Sequence, residues 1–336
     1  MRSPVRIRSG AALGSVVAAM LATGCGNNER TPAESSAKSS PTPKVDTVTV
    51  GDRPVGVAVL GGHVWIANLA EKTVTRLDAT SKEAVGSRIR TQRGSWAVAA
   101  GEGSVWVGNL RSDTVTRIDA ASGEVVAKPI PVGRDPLAIA VGEGAVWVSN
   151  TSDGTVSRID PRSNKTVGRP IHVGSQPLGG GAGGGIALGE GAVWVSNAVD
   201  ATVTRIDPRS GVIMGDPIRV GAGPLGLAVG EGAVWVANFD GDTVTRIDPV
   251  SGRAVGGPIS VGDGPLAVAV SEGAVWITNA SDGTVTRIDP ATNKVVGQPI
   301  EIGISVQGIA VGEGGVWVVN EADDTLSRIA LQPVPG

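Results

Sequence analysis

The chain has 336 residues and a formal net charge of −3, and 41% of its residues are hydrophobic, with 50 Gly, 21 Pro, 8 Trp, one Phe and no Tyr. So much glycine and proline excludes a helical bundle and favours an all-β fold rich in tight turns. No basic run of the kind that grips nucleic acid is present, and the single cysteine, Cys25, excludes an intrachain disulfide and a thiol site in the folded part.

Residues 1–24 read as a signal peptide and lie outside the fold. Arg2, Arg6 and Arg8 form a positive leader, and "AALGSVVAAMLA" is an apolar segment too short to span a bilayer as a helix. The closing "LATGC" resembles the lipobox of bacterial lipoproteins, in which a small residue precedes a cysteine that is diacylated and becomes the new N-terminus. Ala22 stands where Leu is commoner in that motif. The resemblance implies lipidation of Cys25 and a protein held at the cell membrane, facing outside the cytoplasm, on the cell surface or in a periplasm. Removing residues 1–24 takes away three arginines and no acid, so the net charge moves from −3 to −6. Residues 25–43 are polar, Ser/Pro-rich and aperiodic, and read as a flexible lipidated tether.

From residue 44 to residue 330 the sequence repeats. Trp65, Trp106, Trp147, Trp194, Trp235, Trp276 and Trp317 are spaced 41, 41, 47, 41, 41 and 41 residues apart. A period of about 40 residues made of short strands is a propeller signature. The unit at residues 261–300 holds four β-rich runs, "LAVAV", "AVWITN", "TVTRID" and "KVVGQPI", separated by turn residues. Seven such units predict a seven-bladed β-propeller of four-stranded blades. The seventh unit stops after three runs, and "KVDTVTV" at residues 44–50 stands where a fourth run would be, so this N-terminal strand is expected to close the last blade. Residues 331–336 are a tail.

The units, for example "VWVANFDGDTVTRIDP" at residues 234–249, resemble the bacterial propellers with YVTN-type repeats and, more loosely, the streptogramin B (virginiamycin B) lyase family. The resemblance covers residues 45–330 and implies architecture far more than activity. Lyases of that family use a histidine base with a carboxylate-bound metal near the channel mouth. Here His63 falls in a turn between the first two strands and His172 at the end of an outer strand on the opposite face, so neither fills that role.

The repeated residues read as scaffold. Trp alternates with Val in "AVWVSN" and is expected to pack between blades. The Arg of "TVTRID", Arg76 to Arg328, is expected either to pair with the Asp two residues on or to stack on a neighbouring blade's Trp. Asn68 and its six equivalents, with Asp153, Asp200, Asp282 and Asp323, are expected to cap turns, and "NFDGD" and "NEADD" lack the ligand spacing of a calcium loop. "GGGAGG" at residues 179–184 precedes a strand, not a helix, and is read as an insertion, not a nucleotide loop.

Departures from the repeat carry more functional information. Trp96 and Gln307 replace the Leu of the inner-strand entry, Phe239 is the one Phe, and Gly181 lies in the insertion. These are the candidate ligand-face residues. The function expected is that of a monomeric, membrane-anchored binding scaffold without catalysis or cofactor, its ligand a protein, a glycan or a small molecule. The alternative is a metal-assisted lyase or hydrolase resembling streptogramin B lyase, and a divalent metal enters only there.

Overall fold

Strand Ala145–Asn150, "AVWVSN", is buried at all six positions. Side chains alternate between the two faces of a strand, so this means that both faces of its sheet are covered. The same holds for Ala192–Asn197, Ala233–Asn238, Ala274–Asn279 and Gly315–Asn320. The computed structural model describes residues 43–174, 185–271 and 273–331, and the signal peptide and tether expected at residues 1–42, Cys25 among them, and the tail beyond residue 331 lie outside these.

Among the described residues the chain forms seven antiparallel sheets, numbered here as blades one to seven in chain order. In blade three the inner strand Pro136–Gly142 pairs with Ala145–Asn150, and that pairs with Thr155–Asp160. Each hydrophobic cluster joins two consecutive blades, and the last joins blade seven to blade one, so the sheets make a closed ring. The expected seven-bladed propeller is the fold. Trp65 packs on Val98, Val105, Val107 and Ile118 of blade two, and Trp317 packs on Val57, Val64 and Ile66 of blade one. Each such ring buries on the order of 200 Å², which makes the repeated Trp the main inter-blade filler, as its alternation with Val implied.

The hairpin at the inner strand needs two central residues with positive φ, and Glu143 (50°) and Gly144 (71°) supply them between the paired Gly142 and Ala145. The fourth run of each of the first six units differs from the single strand expected. In blade three it makes two short ladders, Lys165–Thr166 and Ile171–His172, separated by "VGRP". Gly168 at φ 73° and the missing N–H of Pro170 break the ladder. Val45–Thr49 pairs along the third strand of blade seven, Val45 opposite Ile329 and Thr49 opposite Thr325. The N-terminal strand therefore closes the ring as expected.

Three repeated residues, Arg, Asp and Asn, act differently from expectation. Each Arg lies over the Trp of its own blade, directly across the strand pair, with guanidinium carbons 4.9–5.7 Å from the ring centroids. In several blades its Nη atoms then reach the next blade: Arg76 donates to Ala121 O at 3.2 Å, Arg158 to Arg209 O and Arg205 to Pro249 O at 3.1 Å, whereas Arg328 donates to Gly314 O of its own blade at 3.0 Å. Among the described residues the Asp two residues on makes no ion pair with this Arg and takes turn N–H groups instead. Asp78 accepts from Thr80 N (2.9 Å) and Ser81 N (2.8 Å), and these bonds hold its carboxyl below the ordinary range. Asn150 is a strap, not a turn cap: it is fully buried, and its Nδ2 donates to Thr155 Oγ1 (3.1 Å) and Ser157 Oγ (2.9 Å) on the next strand.

A candidate ligand-binding mouth

Pairing of Pro136 with Asn150 brings the loop entering the inner strand beside the turn between the second and third strands. The equivalent pairings Pro54–Asn68, Ser95–Asn109, Pro224–Asn238, Pro265–Asn279 and Val306–Asn320 gather these loops and turns at one end of the ring, and the hairpins between the first two strands at the other. A bulge interrupts the register at each described inner-strand entry, for example between Pro54 and Gly56, between Ser95 and Val98, and between Val306 and Ile309. A bulge carries one unpaired residue and re-aims its side chain. Trp96 and Gln307 fall within such bulges, so the repeat varies where its backbone is least bound by the ladder.

The loops around this mouth are fixed by carboxylates. Asp153 Oδ2 accepts from Arg134 N and Asp282 Oδ2 from Asp263 N, both at 2.7 Å, and Asp323 Oδ2 accepts from Ile304 N at 2.9 Å. Each of these Asp residues binds the approach loop of its own blade and leaves its own turn uncapped. Between blades, Asp113 Oδ1 accepts from Asp135 N (3.0 Å), Asp242 Oδ1 from Gly264 N (2.9 Å) and Asp324 Oδ1 from Arg53 N (2.8 Å). Asp153 also pairs with Arg134 Nε at 2.6 Å, and the Arg134 backbone and side-chain donors together lower its pKa.

Trp96 is half-buried, whereas the other seven Trp residues are at most 3% exposed. It packs with Leu69 against the cluster shared by blades one and two. Gln307 Nε2 donates to Glu321 Oε2 at 2.9 Å, and Glu321 Oε1 accepts from Arg53 Nε at 3.0 Å. Those two candidates thus flank blade one. Phe239 opens a 3₁₀ turn in blade five and lies against Gly264, where a Cβ would come within 3.1 Å of its ring. Gly181 lies outside the described residues.

One feature escaped the reading of the sequence. Between blades one and two the mouth holds a cavity of about 290 Å³ lined by Arg53, Lys72, Arg93 and Arg111 with Leu69 and Ala70. Its signal was present in the repeat, as bases at positions where, Arg134 apart, the other units carry acidic or neutral residues.

The two histidines are apart, as expected. His63 does not lie in the turn expected for it but begins the second strand of blade one, His63–Asn68, where it pairs with Leu60 and with Asp78 at the end of the third strand, and it contacts Arg76 Nη2 through Nε2 at 3.0 Å. His172 sits opposite Thr155, at the start of a third strand, and is exposed. Among the described residues no group of three His, Cys, Asp or Glu side chains is placed to hold a metal ion.

No protein-family model matches the chain, and no curated protein matches it by sequence. Its structure is similar to a streptogramin B lyase, at 16% identity and a TM-score of 0.72, covering 87% of this chain and 98% of that one. It is also similar to a virginiamycin B lyase from Staphylococcus aureus, at 19% identity and 0.71, covering 86% and 99%. Hydrazine synthase from Kuenenia stuttgartiensis matches at 15% and 0.70, covering 88% and 98%. At such identities these likenesses establish the propeller fold, and the differing names of the matched proteins show how widely it is used.

Proposed function

We propose that the chain is an extracytoplasmic lipoprotein, attached through Cys25, whose propeller binds a ligand at the mouth described above and performs no catalysis. The observation that carries this reading is Trp96. Seven Trp residues fill the ring, and the eighth stands half-buried on a bulge at the mouth. A large aromatic on a preformed rim is the residue type that most often anchors a ligand or partner. A ligand without the ring's near-symmetry can be oriented by positions at which the blades differ, and Gln307 and Phe239 are further such positions at this end.

The test is the double variant Trp96→Leu/Gln307→Leu, which restores the repeat at both bulges. It is expected to keep its melting temperature and to lose about 2 kcal/mol, roughly thirtyfold, in affinity for whatever co-purifies with the wild-type protein. Unchanged affinity in the folded variant would overturn the placement. Turnover of a cyclic depsipeptide or ester, abolished by a chelator, would overturn the non-catalytic reading.

A further inference from the structure

We propose that the crevice between blades one and two binds a compact polyanion, a ligand with phosphate or clustered carboxylate groups beside a small apolar part. The inference rests on the reading of this mouth as the binding face and names the chemistry that it takes. Four cationic side chains, Arg53, Lys72, Arg93 and Arg111, line one cavity with Leu69 and Ala70, and no carboxylate is among its lining residues.

Comparison with the neighbouring blades argues that this is a built feature. Arg134 holds in blade three the place that Arg93 holds in blade two, but Arg134 is neutralised by Asp153 at 2.6 Å. The equivalent of Asp153 in blade two is Ser112, whose Oγ accepts the Arg93 backbone N–H at 3.1 Å and has no charge for the guanidinium. In blade one the equivalent is Glu71, which is engaged by Arg88. At the next position Asp113, Asp242 and Asp324 tie adjacent loops, whereas blade one has Lys72. The crevice has thus lost carboxylates and gained cations at matching places. Among the described residues no carboxylate pairs with the side chains of Lys72, Arg93 or Arg111, while Arg53 is held by Glu321.

The loops that carry these groups are fixed. Leu69 N donates to Arg53 O at 2.9 Å, Leu110 N to Gly94 O at 2.7 Å and Arg111 N to Arg93 O at 3.2 Å. Like charges assembled on rigid backbone repel one another, and an anion relieves that repulsion while arginine offers it paired donors. Leu69, which packs against the same core cluster as Trp96, supplies an apolar surface beside the charges. A ligand with both an anionic and an apolar part meets both.

Phosphate on a small ester and phosphate in a lipid headgroup share this chemistry, so two probes are used on the full chain: inorganic pyrophosphate by calorimetry, and phosphatidylglycerol vesicles by sedimentation of the non-lipidated Cys25→Ser protein. Binding of either is expected, weakening as salt rises. It should fall at least tenfold in Arg93→Gln/Arg111→Gln and also in Ser112→Asp, which supplies Arg93 with the carboxylate that Arg134 already has. Arg134→Gln should bind as the wild type does, and all variants should melt alike. The probe that binds identifies the source. Absence of binding to both, or equal loss in Arg134→Gln, would overturn the site. That outcome is distinguishable from failure of the binding reading, because the affinity of the co-purified ligand and its dependence on Trp96 are measured separately.

Discussion

Asn150 shows how one buried side chain joins three segments of a blade. Its two Nδ2 hydrogens go to Thr155 and Ser157 on the third strand, and its Oδ1 accepts from Gly133 N at 3.1 Å on the loop entering the inner strand. The approach is so close that a Cβ on Gly133 would lie 2.6 Å from Asn150 Cγ. Glycine before the inner strand and asparagine at the end of the second are therefore one device, and blade two, with Gln92 in place of the glycine, still reaches Asn109 Oδ1 at 3.3 Å. Replacing Asn150 by Ala strands the buried Ser157 hydroxyl and the partly buried Thr155 hydroxyl and Gly133 N–H, at about 1–3 kcal/mol for each buried group left unsatisfied. A loss of about 3 kcal/mol in denaturant unfolding is expected, and a loss below about 1 kcal/mol would show that water replaces the amide.

At the scale of elements, the outer strand matters most where it comes from the other end of the chain. Val45–Thr49 adds a full ladder to blade seven, and Thr47 Oγ1 meets Ser327 Oγ at 3.0 Å. Val50 is buried, and Val48 packs on the cluster joining blades seven and one. Lys82 of blade one reaches Asp46 Oδ2 at 3.1 Å, which with Lys44 lowers the Asp46 pKa and ties the strand sideways. Deleting residues 44–50 exposes the edge of blade seven and removes the buried Val50 and the partly buried Val45 and Val48, full burial of one such side chain being worth about 1.5–3 kcal/mol. The melting temperature is expected to fall by about 10 °C, at about 2–4 °C per kcal/mol for a domain of this order of size. Deletion of residues 27–40 should leave it unchanged. Equal melting of the two truncations would mean that closure does not depend on this strand.

Across the whole molecule the two ends of the ring differ in chemistry. At the hairpin end, Glu102, Glu143, Glu190, Glu231 and Glu313 all sit at positive φ. Glu231 Oε1 accepts from Gly273 N at 3.1 Å and Glu313 Oε1 from Gly62 N at 3.0 Å, so these acids tie neighbouring blades. At the other end the cations gather between blades one and two. No helix of the described residues is long and apolar enough to cross a membrane, and the proposed attachment is through Cys25 alone. A diacylated Cys25 supplies the two chains that stable anchoring needs. Metabolic labelling with a fatty-acid analogue should mark the wild-type protein in the membrane fraction and leave Cys25→Ser unlabelled; label on the Ser variant would overturn that assignment.

The repeat by itself determined the architecture, because a Trp every 41 residues with four apolar runs between can bury its two-sided sheets only against copies of themselves. The closing strand was legible for the same reason, as a missing fourth run at one end and a spare one at the other. The partners of repeated polar residues were not legible. Arg and Asp two apart in "TVTRID" share a strand face, but Arg has a Trp directly across the ladder and Asp has its own turn N–H groups within reach, and proximity across strands outweighed proximity along the chain. Nor could the sequence alone assemble the cationic crevice. Arg53, Lys72, Arg93 and Arg111 span 59 residues of chain and belong to four separate loops, and only the register of two neighbouring blades brings those loops to the rim of one cavity.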